Sequence, residues 1–214
     1  MLALVLDTSS PAVTAGLVEV ASPTQVDVLA ERVTVDPRRH GELLAPAIEA
    51  VLVEAGRTPA DLMSVVAGVG PGPYTGLRIG LVTALALADA LDLPTYAVCS
   101  LDAIAAGAPP TAGSLLVAGD ARRREVYWAV YRTGQRLAGP AVDRAADVPL
   151  DGCTVACGAG AQMYDFGLPT SEPHFPPVAT LASLAAGRVA GAAPTEPLTP
   201  LYLRRPDAAE PATR

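Results

Sequence analysis

The chain has 214 residues, half of them apolar, and a formal net charge of −7 at pH 7. It can therefore bury a core of its own, but alone it is poorly suited to bind nucleic acid. Its 15 basic residues are all arginine, which excludes a P-loop and any chemistry that needs a lysine amine. No stretch approaches the ~20 apolar residues of a membrane span, and the first apolar run is too short for a signal peptide, so we expect a soluble, cytoplasmic protein with no membrane contact.

The first half of the chain predicts the order strand, strand, strand, helix, strand, helix, strand. Buried or alternating apolar runs indicate the strands, and apolar residues at helical spacing indicate the helices. This order resembles the repeated lobe of the actin, Hsp70 and sugar-kinase fold. The predicted strands are Leu2–Leu6, Val13–Val20, Val26–Val35, Leu62–Gly68 and Thr95–Cys99, and the predicted helices begin after Asp36-Pro37 and at Thr75.

A glycine-rich turn, Gly70–Gly80, leads directly into the most apolar helix of the chain. Its closely spaced glycines and prolines predict a tight turn with no long side chain in its way, which suits a phosphate cradle. The helix Thr75–Leu91 has Arg78 and Asp89 as its only charged residues and is apolar around its whole circumference. We therefore expect this helix to be covered on more than one side, as at a protein–protein interface.

The second half holds fewer elements, so we predict a reduced second lobe. The linker Ala108–Gly113 separates an N-terminal lobe (1–107) from a C-terminal lobe (108–205), and 206–214 are predicted to form a flexible tail. The segment Asp120–Tyr131 combines arginines with aromatic residues, as an RNA-binding surface does, but Asp120 and Glu125 dilute its charge. A core strand is favoured, with Arg122–Arg124 in a hairpin turn and Val126, Trp128 and Val130 on one buried face. The remaining predicted elements are strands at Leu115–Ala118 and Cys153–Cys157 and a helix at Val178–Ala190.

Candidate phosphate-binding chemistry is confined to short segments. At the end of the first strand, Asp7 could hold a magnesium ion through water, and Thr8, Ser9 and Ser10 could donate to phosphate oxygens. The alternative is a polar turn that caps the strand. Gly158-Ala-Gly160 suits either an adenosine loop or a strand-end turn, and no long helix follows it.

No catalytic or metal-binding constellation stands out. His40 and His174 are the only histidines and lie far apart in the sequence, and three cysteines without a C-x-x-C pair do not suggest zinc. No serine lies in a G-x-S-x-G motif. We therefore assign no catalytic residue and no metal ligand, and we expect the histidines to be structural or exposed.

Six segments, in order along nearly the whole chain, resemble the bacterial TsaB (YeaZ) family. The glycine-rich turn together with the segment from Asp120 to Trp128 is the most specific part of this resemblance. The segments are Leu6-Asp-Thr-Ser-Ser10, His40-Gly-Glu-Leu-Leu-Ala-Pro46, Gly70–Gly80, Ser100-Leu-Asp102, Asp120–Trp128 and Pro200-Leu-Tyr-Leu-Arg204.

The resemblance implies an actin-like fold and a non-catalytic role beside a paralogous enzyme, TsaD. TsaD transfers threonylcarbamoyl to N6 of adenosine 37 in tRNAs that read ANN codons. In the TsaD family a His-x-x-x-His pair binds the catalytic metal, and by position in the fold the pair falls here on Ser100 and Ile104. Neither residue replaces an imidazole ligand, so the chain is expected to be a pseudoenzyme.

The resemblance also implies the partners. The chain would bind TsaD through its first two helices, with the ATPase TsaE in the same assembly, TsaC as the upstream synthase, and tRNA bound only by the complex. ATP or ADP with magnesium could lie at the junction, and the same helices could form a homodimer when TsaD is absent. The expected partner interface comprises His40, Leu43, Ala47, Tyr74, Thr75, Arg78, Ile79, Val82 and Thr83.

Two other functions stay open at this point. A stand-alone small ATPase or kinase of the actin-like superfamily would need a complete second lobe and a working base. A metallopeptidase-like hydrolase would need bound zinc or iron. Magnesium-dependent ATP hydrolysis by the isolated chain, or stoichiometric metal in it, would favour these alternatives.

Overall fold

The computed structural model of the chain describes residues 1–204, so the predicted tail lies outside the described residues. Within them, two five-stranded sheets are surrounded by α-helices. The strands are β1 Leu2–Asp7, β2 Ala12–Ser22, β3 Gln25–Val35, β4 Ser64–Gly68, β5 Thr95–Val98, β6 Ser114–Asp120, β7 Glu125–Arg132, β8 Gln135–Arg144, β9 Cys153–Cys157 and β10 Thr170–Ser171. The helices are α1 His40–Glu54, α2 Tyr74–Leu91, α3 Ser100–Gly107, α4 Ala159–Met163 and α5 Val178–Ala190.

The first sheet has the strand order β3-β2-β1-β4-β5. β1, β2 and β3 are antiparallel neighbours, whereas β4 and β5 continue the sheet parallel to β1. All of β1 is buried, because α1 and α2 cover one face of the sheet and α5 covers the other. The predicted order of strands and helices in the first lobe is confirmed, with ends that differ by one or two residues.

The second sheet has the order β10-β9-β6-β7-β8 and is built on the predicted β6–β7 hairpin. Val126, Trp128 and Val130 share one buried face, as predicted. Tyr127 and Tyr131 on the opposite face are also buried, because α3 packs against that side of the sheet. The expectation of a single buried face is therefore wrong, and β8 was not predicted at all.

Helix α5 does not pack in the C-terminal lobe to which the sequence assigned it. It packs across the first sheet, against β2, β3 and β5, and not against the second sheet. At its start it comes so close to β2 that a Cβ at Gly16 would lie 2.3 Å from Val178 Cγ1. Assigning this helix to the second lobe is a wrong prediction, while the boundary between the lobes stays a prediction.

A C-terminal strap, residues 193–204, returns along the first lobe. The Glu196 carboxylate accepts from Ala97 N (3.1 Å) and from the Arg188 guanidinium (2.5 Å). Further along, Leu201 N donates to Val69 O (2.9 Å). These bonds place the end of the described chain beside the glycine-rich turn and the start of α2.

Among the described residues, α2 is the one helix that is long and apolar enough to cross a membrane by length and composition, with a mean hydropathy of 1.3. One face of α2, with Leu77, Leu81 and Ala84, is buried in the core beside the first sheet. A core helix has this same composition, so length and hydropathy alone do not indicate a membrane contact.

Candidate functional site

The predicted phosphate loop Asp7–Ser10 packs directly into the glycine-rich turn Gly70–Gly80. The Thr8 hydroxyl donates to Gly76 O (2.8 Å) and accepts from Gly80 N (3.0 Å). Thr8 thus bonds to the backbone of the first turns of α2 and is itself buried. We call this contact between loop and turn the loop–turn junction.

The glycines of the turn are needed for this close approach. A Cβ at Gly80 would lie 2.2 Å from Thr8 Oγ1, and a Cβ at Gly72 would lie 2.1 Å from Ser9 O. The space that small residues leave is therefore filled by the chain's own loop. The turn packs against the chain's own loop on this side, and a phosphate cradle at the turn stays a prediction.

Asp7 lies at the centre of the loop–turn junction and is only 1% exposed. Its Oδ1 accepts from Ser9 N (2.9 Å) and Ser9 Oγ (2.8 Å), and its Oδ2 accepts from Ser100 Oγ (2.6 Å). Burial raises the pKa of the Asp7 carboxyl, while the bonds from Ser100 and Ser9 act in the opposite direction. Both carboxylate oxygens are engaged within the chain.

The side chains of the predicted magnesium and phosphate contacts are bonded within the chain. Asp7 and Ser9 are buried and bonded to each other, and the Thr8 hydroxyl is bonded to the glycine-rich turn. Thr8 and Ser10 line the neighbouring cleft, where the Ser10 hydroxyl accepts from Ala12 N (3.1 Å). The loop forms a polar turn at the end of β1, and contact of its residues with a nucleotide stays a prediction.

Ser100 and Ile104 are both structural in α3. The Ser100 hydroxyl accepts from Gly70 N (3.1 Å) while it donates to Asp7, so it joins β1 to the glycine-rich turn. Ile104 is 4% exposed and lies in the core beneath the second sheet. Within residues 1–204, no three or more His, Cys, Asp or Glu side chains gather as a metal site would require.

The segment Gly158-Ala-Gly160 forms the end of β9 and the start of the five-residue helix α4. Gly158 has a φ of 94°, and a Cβ there would lie 2.3 Å from Ala118 O. Its glycines therefore allow α4 to pack tightly on β6. The prediction of a strand-end turn is confirmed, and no long helix follows.

The outer face of α2 is apolar and uncovered by the rest of the chain. Val82 is 56% exposed, Leu85 is 45% exposed and Tyr74 is 42% exposed. Thr75 and Arg78 are exposed on the same helix. The chain itself therefore covers only the opposite side of this helix, and Leu85 joins the surface although it was not among the predicted partner residues.

Partly buried residues of α1 and α2 border this face. Ile79 and Thr83 on α2 and Leu43 and Ala47 on α1 each keep part of their surface exposed. The two helices touch closely at Gly41, where a Cβ would lie 3.8 Å from Ile79 Cδ1. We call the exposed and partly buried residues of both helices the α1–α2 face.

His40 does not belong to the α1–α2 face as predicted, because it is only 7% exposed. Its Nε2 lies 2.8 Å from Ser10 O, and a Cβ at Gly76 would lie 3.4 Å from the same nitrogen. The imidazole therefore supports the loop–turn junction from the side of α1. This agrees with the more general expectation that the histidines are structural or exposed.

Tyr202 lies on the surface at the edge of the α1–α2 face. It was not among the predicted partner residues. Its ring centroid lies 5.0 Å from that of Tyr74. The Arg78 guanidinium lies over the Tyr74 ring (5.1 Å) and donates to its hydroxyl (2.6 Å). The segment Pro200–Arg204 is part of the family resemblance, but its sequence does not indicate that it lies beside α2.

A cleft of about 410 Å³ opens between the two lobes, beside the loop–turn junction. The starts of α1 and α2 form one wall, and the β6–β7 turn and the C-terminal strap form the other. Basic and acidic groups both line it, with Arg38 on the first wall and Asp120 and Arg122 on the second. Thr8 and His40 also line the cleft, and both are hydrogen-bonded within the chain.

The chain is an α/β protein of two mixed sheets with flanking helices, in which the loop after β1 packs into a glycine-rich turn. The family model for TsaD, tRNA N6-adenosine threonylcarbamoyltransferase, matches residues 27–183. The chain is also similar to solved structures and curated proteins along most of its length.

YeaZ from Pseudomonas aeruginosa superposes with a TM-score of 0.74 at 29% identity, covering 94% of this chain and 99% of that structure. An uncharacterized protein of Mycobacterium tuberculosis is 50% identical over 96% of this chain and 92% of its own length. The tRNA threonylcarbamoyladenosine biosynthesis protein TsaB of Bacillus subtilis is 37% identical over 62% of this chain and 56% of its own length. The chain belongs to the TsaD family and, within it, to the TsaB (YeaZ) proteins.

Proposed function

We propose that this chain is a non-catalytic subunit in the biosynthesis of threonylcarbamoyladenosine on tRNA. It binds TsaD through the α1–α2 face and positions that enzyme for transfer of threonylcarbamoyl to N6 of adenosine 37 in tRNAs that read ANN codons. The observation that carries the proposal is the uncovered apolar face of α2, in a chain whose relatives are named for this biosynthesis.

Exposed apolar area of this kind favours a protein partner. Val82, Leu85 and Tyr74 lie on one helix that has only two charged residues, so water contacts a largely apolar surface there. Covering such surface is favourable by roughly 25 cal/mol per Å². A stable association buries about 800 Å² on each partner, which the exposed parts of two helices and the strap can supply together.

The non-catalytic assignment is supported by the loop–turn junction and by α3. The positions that correspond to the metal ligands of TsaD hold Ser100, which is hydrogen-bonded to Asp7, and Ile104, which is buried. Asp7, the carboxylate nearest to them, accepts three hydrogen bonds from its own chain. We assign the chemistry to TsaD, with TsaE as a further member of the assembly and TsaC as the source of the adenylate substrate.

The charge of the chain supports binding of tRNA through the complex only. A formal charge of −7 opposes binding of a polyanion to the isolated chain. The partner would therefore supply most of the basic surface. In the absence of TsaD, we propose that the α1–α2 face can pair with a second copy of the chain.

The experiment is co-purification with TsaD of the same organism, for wild type and Val82→Arg. A desolvated arginine in the centre of the contact is expected to weaken binding by about 2 kcal/mol or more, roughly 30-fold. Leu137→Arg on β8 is the matched control, because Leu137 and Val82 are both 56% exposed. It should bind as wild type does.

Thermal unfolding of the free chain shows whether each variant keeps its fold. Light scattering of the free chain should show a dimer for wild type and Leu137→Arg but a monomer for Val82→Arg. Wild-type binding of Val82→Arg to TsaD would contradict the proposed face, and no binding of wild type would contradict the proposed function itself.

A further inference from the structure

Three consecutive arginines form the tip of the β6–β7 hairpin in a left-handed conformation. Arg122, Arg123 and Arg124 have φ angles of 63°, 53° and 64°, and all three are exposed. A residue with a side chain rarely adopts positive φ, and a run of three such residues is unusual. We call this segment the arginine turn.

Short hydrogen bonds hold the arginine turn in place. Glu125 N donates to Arg122 O (2.9 Å), and Ala121 N donates to Glu125 O (3.0 Å). Arg122 N also donates to Asp120 Oδ1 (2.8 Å). Left-handed conformations cost of order 1 kcal/mol or more per residue and concentrate at functional sites. Glycine or asparagine would relieve this cost, so the presence of three arginines indicates that their side chains are used.

The arginine turn concentrates positive charge in an otherwise acidic chain. Arg144 lies opposite Glu125 on the neighbouring strand β8, and Glu125 lies 3.4 Å from Arg204. The acidic groups nearest the turn therefore already have basic neighbours or, like Asp120, accept from the backbone. The tip keeps a net positive charge.

The position of the arginine turn relates it to the partner face. Arg122 lines the cleft between the lobes, and so do Tyr74 and Thr75 at the start of α2. Arg38, just before α1, lines the same cleft from the other lobe. A molecule that lies across the boundary between this chain and a partner on the α1–α2 face would meet these arginines.

We propose that the arginine turn contacts the phosphate backbone of tRNA when this chain is bound to TsaD. This inference rests on the proposed function. Neighbouring guanidinium groups match closely spaced phosphates, and release of counterions from the nucleic acid supplies the free energy. A fully exposed tip made of three charged residues also lacks the apolar anchors that protein interfaces use.

The test is tRNA binding by the assembled complex, for wild type and R122Q/R124Q, over about 0.05 to 0.3 M salt. Arg123 is left unchanged because it has a further interaction of its own. Loss of two phosphate contacts should reduce the slope of log affinity against log salt by about 2. It should weaken binding on the order of 10-fold at 0.1 M salt.

Two variants serve as controls. R32Q/R57Q removes the same charge from β3 and from the loop after α1 and should keep the wild-type slope. R122K/R124K keeps the charge at the turn and should retain most of the salt dependence. This variant separates loss of charge from a change in the shape of the turn.

The outcomes distinguish the two proposals. If the wild-type chain forms no complex with TsaD, the proposed function fails, and this inference fails with it. If the complex forms and R122Q/R124Q binds tRNA with the wild-type slope, only the role of the arginine turn is overturned. A variant that loses TsaD instead would assign the turn to a protein contact, which also contradicts tRNA binding there.

Discussion

The loop–turn junction and the α1–α2 face are built partly from the same helix, but they treat polar and apolar side chains in opposite ways. At the junction, Asp7, Thr8 and Ser9 are buried and bonded within the chain. On the outer face of α2, Val82 and Leu85 are about half exposed. The polar side chains of the loop, which a nucleotide site would expose, are buried. The apolar side chains of α2, which a core would bury, are exposed to solvent.

One segment is thus closed on its inner side and open on its outer side. Gly72, Gly76 and Gly80 let the loop approach the inner side of the turn and α2 so closely that it leaves little or no room for a Cβ at these positions. The outer side of the helix has no comparable cover. This chain therefore combines a polar loop packed against its own glycine-rich turn with an apolar helix face that it leaves uncovered.

The largest expected effect is a loss of stability at the loop–turn junction. In Gly72→Ala, the new Cβ would lie 2.1 Å from Ser9 O, a backbone atom that cannot rotate away. We expect the free energy of unfolding to fall by about 2 to 3 kcal/mol. Urea unfolding of the free chain measures this change.

Gly41→Ala on α1 is the matched control. Its Cβ would lie 3.8 Å from Ile79 Cδ1, an ordinary contact distance. Alanine in a helix is favoured over glycine by up to about 1 kcal/mol, so stability should stay the same or rise. Equal stability of Gly72→Ala and wild type would show that the loop–turn junction is looser than described.

A smaller effect is expected for Ser100→Ala, which removes a donor to Asp7 and an acceptor for Gly70 N. Loss of these buried bonds should cost about 1 to 3 kcal/mol at neutral pH. The pKa of Asp7 is already raised by burial above 3.8, and the bond from Ser100 opposes that shift. The variant should raise this pKa further.

The pH dependence follows from the sign of this shift. A raised pKa means that ionised Asp7 opposes folding at neutral pH, and that protonation relieves the cost as pH falls through the raised pKa towards 3.8. The stability difference between wild type and Ser100→Ala should therefore be largest at neutral pH and shrink on acidification. Urea unfolding over this pH range would contradict the account if the difference grew instead.

The smallest expected effect is at the edge of the open region. Tyr202→Ala removes the ring beside Tyr74, 5.0 Å away, and should weaken TsaD binding by about 1 kcal/mol, roughly fivefold. Tyr202→Phe keeps the ring and should bind as wild type does. Calorimetric titration with TsaD would measure both, and an unchanged Tyr202→Ala would exclude the strap from the contact.

Local patterns in the sequence predict most of the first lobe. Alternating or continuous apolar runs give the strands of the first sheet, and helical spacing together with the lack of charge gives α2 and its open side. The closed junction could not be predicted in this way, because the bond between Thr8 and Gly80 joins residues far apart in sequence. Glycines that make room for a bound ligand and glycines that make room for a neighbouring loop follow the same sequence pattern.

Long-range packing also explains the other differences. Helix α5 is apolar, and its own residues do not indicate which sheet it packs against. Its position on the first sheet depends on the close contact between Val178 and Gly16 on β2. The strand β8 interrupts its apolar residues with Gly139 and Pro140, so it lacks a clear alternation. His40 begins α1 and was placed on the partner interface, although its ring turns inward to Ser10.

Hydrogen–deuterium exchange of the chain, free and bound to TsaD, tests the central claim most directly. If the α1–α2 face is the partner surface, binding should slow exchange most strongly in Tyr74–Leu91 and in His40–Glu54. The second sheet, from β6 to β10, should change little. Protection confined to the second sheet, with α2 exchanging as in the free chain, would contradict the account.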